Sequence, residues 1–225
     1  MNTTNFFAIV GTIFSLYLNF SPINLFIQVI KRKKTIEILP QRLLFFQIAD
    51  KLLWGSVWIL KEKIIPFINS FLSILILLFF IMLYFYLYYN RAFCNALIRF
   101  LILFGIIYFI FLRIIIYANV PVISFVSMIF SISIYIIQIN DILKVLKEKN
   151  YKLINIGNAF VGICCCSSWV IYGKYINFIP QIIVNLIGLI FYIINAIAWI
   201  YFFKQRDKLK IEEETVEINR KKSFN

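Results

Sequence analysis

Two tryptophan–asparagine pairs are the residues in this 225-residue chain best suited to hold a ligand. In SWVIYGKYINFIPQIIVNLIG, which runs from Ser168 to Gly188, Trp169 lies near the end of one apolar segment and Asn185 lies inside the next. An indole offers a flat apolar face and one N–H donor, and a primary amide offers both donors and acceptors. Together they suit a polyhydroxylated ring, which is polar at its edge and apolar on its faces. A weaker version of the arrangement, WGSVWILKEKIIPFIN, runs from Trp54 to Asn69. Trp54 and Trp169 are 115 positions apart and Asn69 and Asn185 are 116 apart, a near-constant offset that indicates an internal repeat.

Other chemistries find little support. The chain has no His, which removes the commonest general base and metal ligand. Its cysteines, Cys94 and the run Cys164–Cys166, have neither C-x-x-C spacing nor His partners, so no metal site, redox pair or disulfide framework is expected. They read as small packing residues in membrane helices. Without paired acids, or a Ser with a plausible base, the chain is not expected to be an enzyme, and no cofactor is implied. The net charge of +13 sits in short clusters between apolar runs, a topology signal and not a nucleic-acid footprint.

The elements that must position the pairs are membrane helices. The chain is 62% hydrophobic with a mean hydropathy of +0.88, well above a soluble domain. Apolar runs near 6–30, 43–60, 64–89, 97–117, 122–143, 153–173 and 177–203 predict seven spans of about 20 residues. Lys31, Arg32, Lys33, Lys34, Arg42, Arg91, Arg99, Lys144, Lys147, Lys149, Lys152 and seven basic residues of the tail fall on one side; Lys61, Lys63 and Lys174 fall on the other. By the positive-inside rule the N-terminus is outside or lumenal and the C-terminus cytosolic, in a plasma membrane or endomembrane.

Two three-helix units with the same orientation need one extra crossing between them. The expected fold is therefore all-α, 3+1+3, with two parallel triple-helix repeats: 1–90, a linker helix in 91–120, and 121–203. A cytosolic, disordered tail follows over 204–225. A site is expected at the repeat interface near the midplane.

Over about 6–203 the chain resembles the SWEET, or saliva-family, sugar transporters. The first repeat carries Ser21-Pro22, the basic run with Thr35, the Trp54 segment and Asn69; the second carries Tyr135, Asp141, Lys144, Lys149, Ser168-Trp169, Tyr172-Gly173, Pro180, Asn185 and Gly188. The resemblance implies a central pocket using Asn69, Asn185, Trp169 and Trp54, a hinge at Pro22 and an outer-mouth position at Tyr172. It implies passive, bidirectional movement of mono- or disaccharides by alternating access, with the lipid bilayer as the protein's setting. A homo-oligomer is left open. The family's other inner-end prolines are not retained: the matching places fall near Leu43, Ile137-Gln138 and Asn158. The pairs Pro40-Gln41 and Pro180-Gln181 do not sit where a PQ-loop transporter places them.

Asp50 and Lys51 are ionisable residues inside a span, a costly and usually functional feature. Asp50 lies one turn before Trp54, on the same face. It is expected either to form an ion pair, with Lys51 or with Arg113, or to touch the sugar or take up a proton. The competing classes are a PQ-loop-type transporter of another small solute such as an amino acid, for which Asp50 is the serious candidate, and a seven-helix receptor. The receptor predicts no repeat and needs motifs that the sequence lacks.

Overall fold

The computed structural model describes residues 3–31, 41–87, 119–148 and 155–223. Among these residues the chain forms α1 (Thr3–Phe20), α2 (Ile23–Ile30), α3 (Gln41–Leu60), α4 (Ile64–Leu87), α5 (Val120–Glu148), α6 (Ile156–Tyr175) and α7 (Ile179–Ser223), with no strand. Six stretches of the described residues are long and apolar enough to cross a membrane: Thr3–Ile30, Leu43–Leu60, Ile64–Leu87, Val120–Ile139, Ile156–Tyr175 and Ile179–Lys204. The remaining expected span, 97–117, lies outside the described residues, as do Pro40, Arg91, Cys94, Arg99 and Arg113.

The first span is two helices and not the single one expected from hydropathy. Pro22 has no N–H to continue the ladder and its ring crowds the carbonyl four residues back. The Leu18 carbonyl instead accepts the Ser21 N–H at 3.1 Å, a tighter turn, and α2 restarts on the Pro22 carbonyl, which accepts from Leu25 at 2.9 Å.

In each half the last helix lies in the middle. The helix α4 packs on both α3 and α1, and α7 packs on both α6 and α5. The halves meet where α1 lies on α6 and α3 lies on α5. Exchanging α1 with α5, α3 with α6 and α4 with α7 leaves this set of neighbours unchanged, as two copies of one triple-helix unit require.

The turns carry the repeat into the backbone. After α3, Lys63 N–H donates to the Trp58 carbonyl at 2.9 Å, and after α6, Phe178 N–H donates to the Gly173 carbonyl at 2.9 Å. These are six-to-one closures of Schellman type. The left-handed residues are Glu62 (φ 55°) and Asn177 (φ 52°), again 115 positions apart. Outward faces carry large apolar side chains such as Ile13, Phe71, Met82, Phe125 and Ile190, as lipid contact demands.

The tail corrects an expectation. The backbone of α7 stays helical through Ser223, where a disordered segment is expected from 204 onward. Opposite charges four apart in the sequence, Lys208 with Glu212, Lys210 with Glu214 and Glu217 with Lys221, favour a helix there.

Candidate functional site

The helices that meet across the repeat boundary bring both tryptophans into one buried cluster. Trp54, Val57 and Trp58 of α3 join Cys165, Trp169 and Tyr172 of α6, with Ala8 of α1, Ile123 of α5, Val184 of α7 and Phe178 of the α6–α7 turn. Each indole is seated by the opposite half. Trp169 lies across Gly11 of α1, where an added Cβ would stand 2.8 Å from Cε2 and 3.0 Å from Nε1. Cys165, one turn before it, donates weakly to the Gly11 carbonyl at 3.7 Å. Trp54 donates its Nε1–H to Ser131 Oγ of α5 at 2.8 Å. Ser131 in turn donates to Asp50 Oδ1, and the other oxygen of Asp50 faces Lys51 Nζ at 3.2 Å. Asp50 is only 4% exposed.

The asparagines are both buried, but they are not equivalent. The sequence offset of 116 suggests mirrored amides. In the structure α4 and α7 begin 115 positions apart, and their buried positions, Pro66, Asn69, Ser70 and Ser73 against Gln181, Val184, Asn185 and Gly188, match at that same offset. Asn185 therefore stands in the place of Ser70, and Asn69 in the place of Val184. Side-chain bonding agrees: Ser70 Oγ donates to the Pro66 carbonyl at 3.1 Å and Asn185 Nδ2 to the Gln181 carbonyl at 2.8 Å. The amide of Asn69 differs, for its buried Oδ1 has no hydrogen-bond partner among the described residues. Asn158 Oδ1 is in the same condition, but it lies in the first turn of α6, 11 residues before Trp169 and so about 16 Å along the helix. Asn69 is closer to the cluster, since Ile65, one turn before it, packs there.

The expected outer end is packed with rings. Trp58 meets Tyr172 edge-on at 6.2 Å and Phe178 at 5.4 Å, and Phe178 also meets Trp54 at 6.2 Å. Lys61 Nζ sits 4.2 Å over the Phe178 ring. Tyr172 is thus placed where both halves touch. Pro22 marks the break between α1 and α2.

One pattern went unread in the sequence. The buried face of α1, Ala8, Gly11, Ser15 and Asn19, recurs 116 positions on as Ser124, Ser127, Ser131 and Tyr135 of α5. Spacings of three, four and four residues are shared. Asn19 Nδ2 donates to Ser73 Oγ of α4 at 2.7 Å, while Tyr135 OH packs against Gly188, the matching place on α7. Small residues at i, i+3, i+7 were the available signal, but without the partner helices they look like ordinary helix packing.

Part of the chain matches a known family. A family described as "Sugar efflux transporter for intercellular exchange" matches residues 121–207. That match spans most of the second triple-helix unit. The chain is 25% identical over 212 residues to "Bidirectional sugar transporter SWEET10" of Arabidopsis thaliana, covering 90% of this chain and 72% of that relative. A solved structure of a eukaryotic SWEET transporter superposes with a TM-score of 0.79 over 89% of this chain and 97% of the other, at 17% identity, which supports the triple-helix-repeat fold. With these likenesses, the apolar spans make this an integral membrane protein.

Proposed function

We propose that this SWEET-like protein carries mono- or disaccharides down their gradient in either direction, by alternating access about the cluster between its halves. The carrying observation is the pairing of two indoles from opposite halves with the uncommitted, buried oxygen of Asn69. A sugar hydroxyl supplies the donor that this oxygen lacks, and the C–H faces of the ring lie against indole. Because the Trp54 N–H is already given to Ser131, Trp54 offers the sugar its ring and not its donor. Asn185 contributes the donor hydrogen that its own helix leaves free.

Net hydrogen bonds in such a site are worth about 0.5–1.5 kcal/mol each. A few of them, with one ring face covered, support half-saturation in the millimolar range, about −4 kcal/mol. That weakness suits release on either side. Separation of Trp58 from Tyr172 and Phe178 would open the outer end, with Pro22 as the hinge on the inner side. In this reading the N-terminus is outside or lumenal and the C-terminus cytosolic.

The amino-acid alternative needs a free acidic group for the substrate ammonium. Both oxygens of Asp50 already face donors, which weighs against it. Uptake of radiolabelled hexose and disaccharide into proteoliposomes, with counterflow from preloaded vesicles, tests the proposal. Saturable exchange that ignores pH and ion gradients is expected. Failure of every neutral sugar, together with uptake of amino acids, would overturn it.

A further inference from the structure

We propose that Ser131 is a positioning residue that holds the Trp54 indole from the opposite half of the molecule, in a direction fixed by Asp50 and Lys51. It rests on reading Trp54 as a wall of the sugar site.

Serine in these helices has a default partner. Ser56, Ser70, Ser124, Ser127, Ser133 and Ser168 each donate to the carbonyl four residues back in their own helix. Such back-bonding needs no neighbouring helix. Ser131 continues the buried stripe of Ser124 and Ser127, yet its hydroxyl leaves α5 and crosses to α3. A stronger acceptor explains the exception: the Asp50 carboxylate makes a charge-assisted bond, roughly twice as strong as a neutral one.

The direction of the chain follows from donor counting. A serine hydroxyl has one hydrogen and two lone pairs, and an indole N–H is a donor only. Once Asp50 takes the hydrogen, Ser131 turns its lone pairs to Trp54, and the indole finds its acceptor. Lys51 Nζ, 3.2 Å from the other oxygen, holds the Asp50 carboxylate from its far side. Without that acceptor the hydroxyl hydrogen has no reason to prefer α3 over the carbonyl of Ser127, and the rotation that satisfies the latter removes the acceptor from Trp54. The first-half indole is thus oriented by a second-half residue, so a movement of α3 against α5 also releases the ring.

Two measurements test this separately from the sugar reading. In purified full-length protein, Trp54→Phe, which keeps a ring but removes the N–H, and Ser131→Ala are combined in a double-mutant cycle read by thermal melting. Each single variant is expected to lower the midpoint by about 2–4 °C, with the double no worse than the worse single by more than about 1 °C. Additive shifts overturn the proposal whether or not the protein moves sugar.

In proteoliposomes, Ser131→Ala is expected to raise half-saturation about five- to tenfold with maximal rate within about twofold, and Ser131→Thr to restore it. Ser127→Ala, a loss of the same size from the same stripe, is expected to change neither value. Equal effects of the two alanines, or unchanged half-saturation in Ser131→Ala, overturn the positioning role. Absence of sugar uptake by the unaltered protein would instead overturn the sugar reading, leaving the melting cycle to decide the Ser131 bond. If Ser131→Ala does not fold, Ser131→Cys, similar in size and a weak acceptor, replaces it in both measurements.

Discussion

The two halves share a backbone and differ in what they place on it. Between α3 and α6 the turn closures, left-handed residues and burial repeat with an offset of 115. Side chains at those places diverge. Asp50 corresponds to Cys165, Lys51 to Cys166, Val57 to Tyr172 and Trp58 to Gly173. Trp54 is tied into a charged chain, whereas Trp169 rests on a bare glycine beside a thiol. The shared part is what lets two helix triplets pack about one axis; the divergent part is the lining. A sugar ring has no two-fold axis, so a symmetric scaffold must be furnished asymmetrically to grip one.

The charged place is where the halves should part most under mutation. Asp50→Ala leaves Lys51 without its partner inside a span and Ser131 without its acceptor. Removing one member of a buried pair costs about 3–5 kcal/mol, and the partial exposure of Lys51 puts this case near the lower figure. A fall in melting midpoint of about 6–12 °C is expected, against at most about 2 °C for Cys165→Ala at the matching place. Similar shifts for both would erase the distinction between a charged and a thiol wall.

The seats of the indoles differ next. At Gly11 even one methyl meets the Trp169 ring at 2.8 Å, and the obstacle is a rigid ring, not a flexible chain end. Gly11→Ala is expected to cost about 1–3 kcal/mol by overpacking and to reduce transport by about tenfold or more. Ser127→Ala, at the equivalent place on α5, already has its Cβ and should transport within about twofold of the unaltered protein. Uptake assays on the pair give the comparison directly.

The amides give a smaller and sharper contrast. Asn69→Ala removes an oxygen with no hydrogen-bond partner among the described residues, so its loss falls on the substrate: half-saturation is expected to rise about tenfold, with melting nearly unchanged. Asn185→Ala also loses a bond to the Gln181 carbonyl, and should lower the melting midpoint by about 2–4 °C as well. If the two variants behave alike in both assays, the one-residue difference in register has no functional meaning.

Most of the scaffold was legible because its causes are local. Span length and a tryptophan recurring after 115 residues need no knowledge of neighbours. The parts that were misread depend on partners. Asn69 and Asn185 look equivalent in sequence because amides attract attention, while the helix starts decide register; one residue of slip turns a side chain about 100° around the axis. Pro22 was noticed as a hinge, but hydropathy alone runs straight through it, so the break between α1 and α2 did not register as two helices. Ser131 was invisible because a serine on a buried stripe normally serves its own helix, and only the nearness of α3 reveals where its hydrogen goes.

The turns after α3 and α6, on the expected outer side, offer the smallest and most local test. Lys63 in the first half corresponds to Phe178 in the second, so the repeat puts a cation at one turn and a ring at the other. The cation that reaches the ring is Lys61, which crosses from the first half to lie 4.2 Å over Phe178. Its ammonium stays near water while its stem covers the aromatic cluster, so the contact is worth about 0.5–1 kcal/mol and vanishes without the charge. Lys61→Met keeps the stem and removes the cation. If this contact helps hold the outer end shut, the variant should open that end more readily, speeding entry from the outer side by about two- to fivefold while leaving half-saturation nearly unchanged. A Phe178→Leu background should abolish that gain, since no ring remains for the cation to leave. Lys63→Met, at a turn position with no cation–ring contact among the described residues, should leave entry rates as they are.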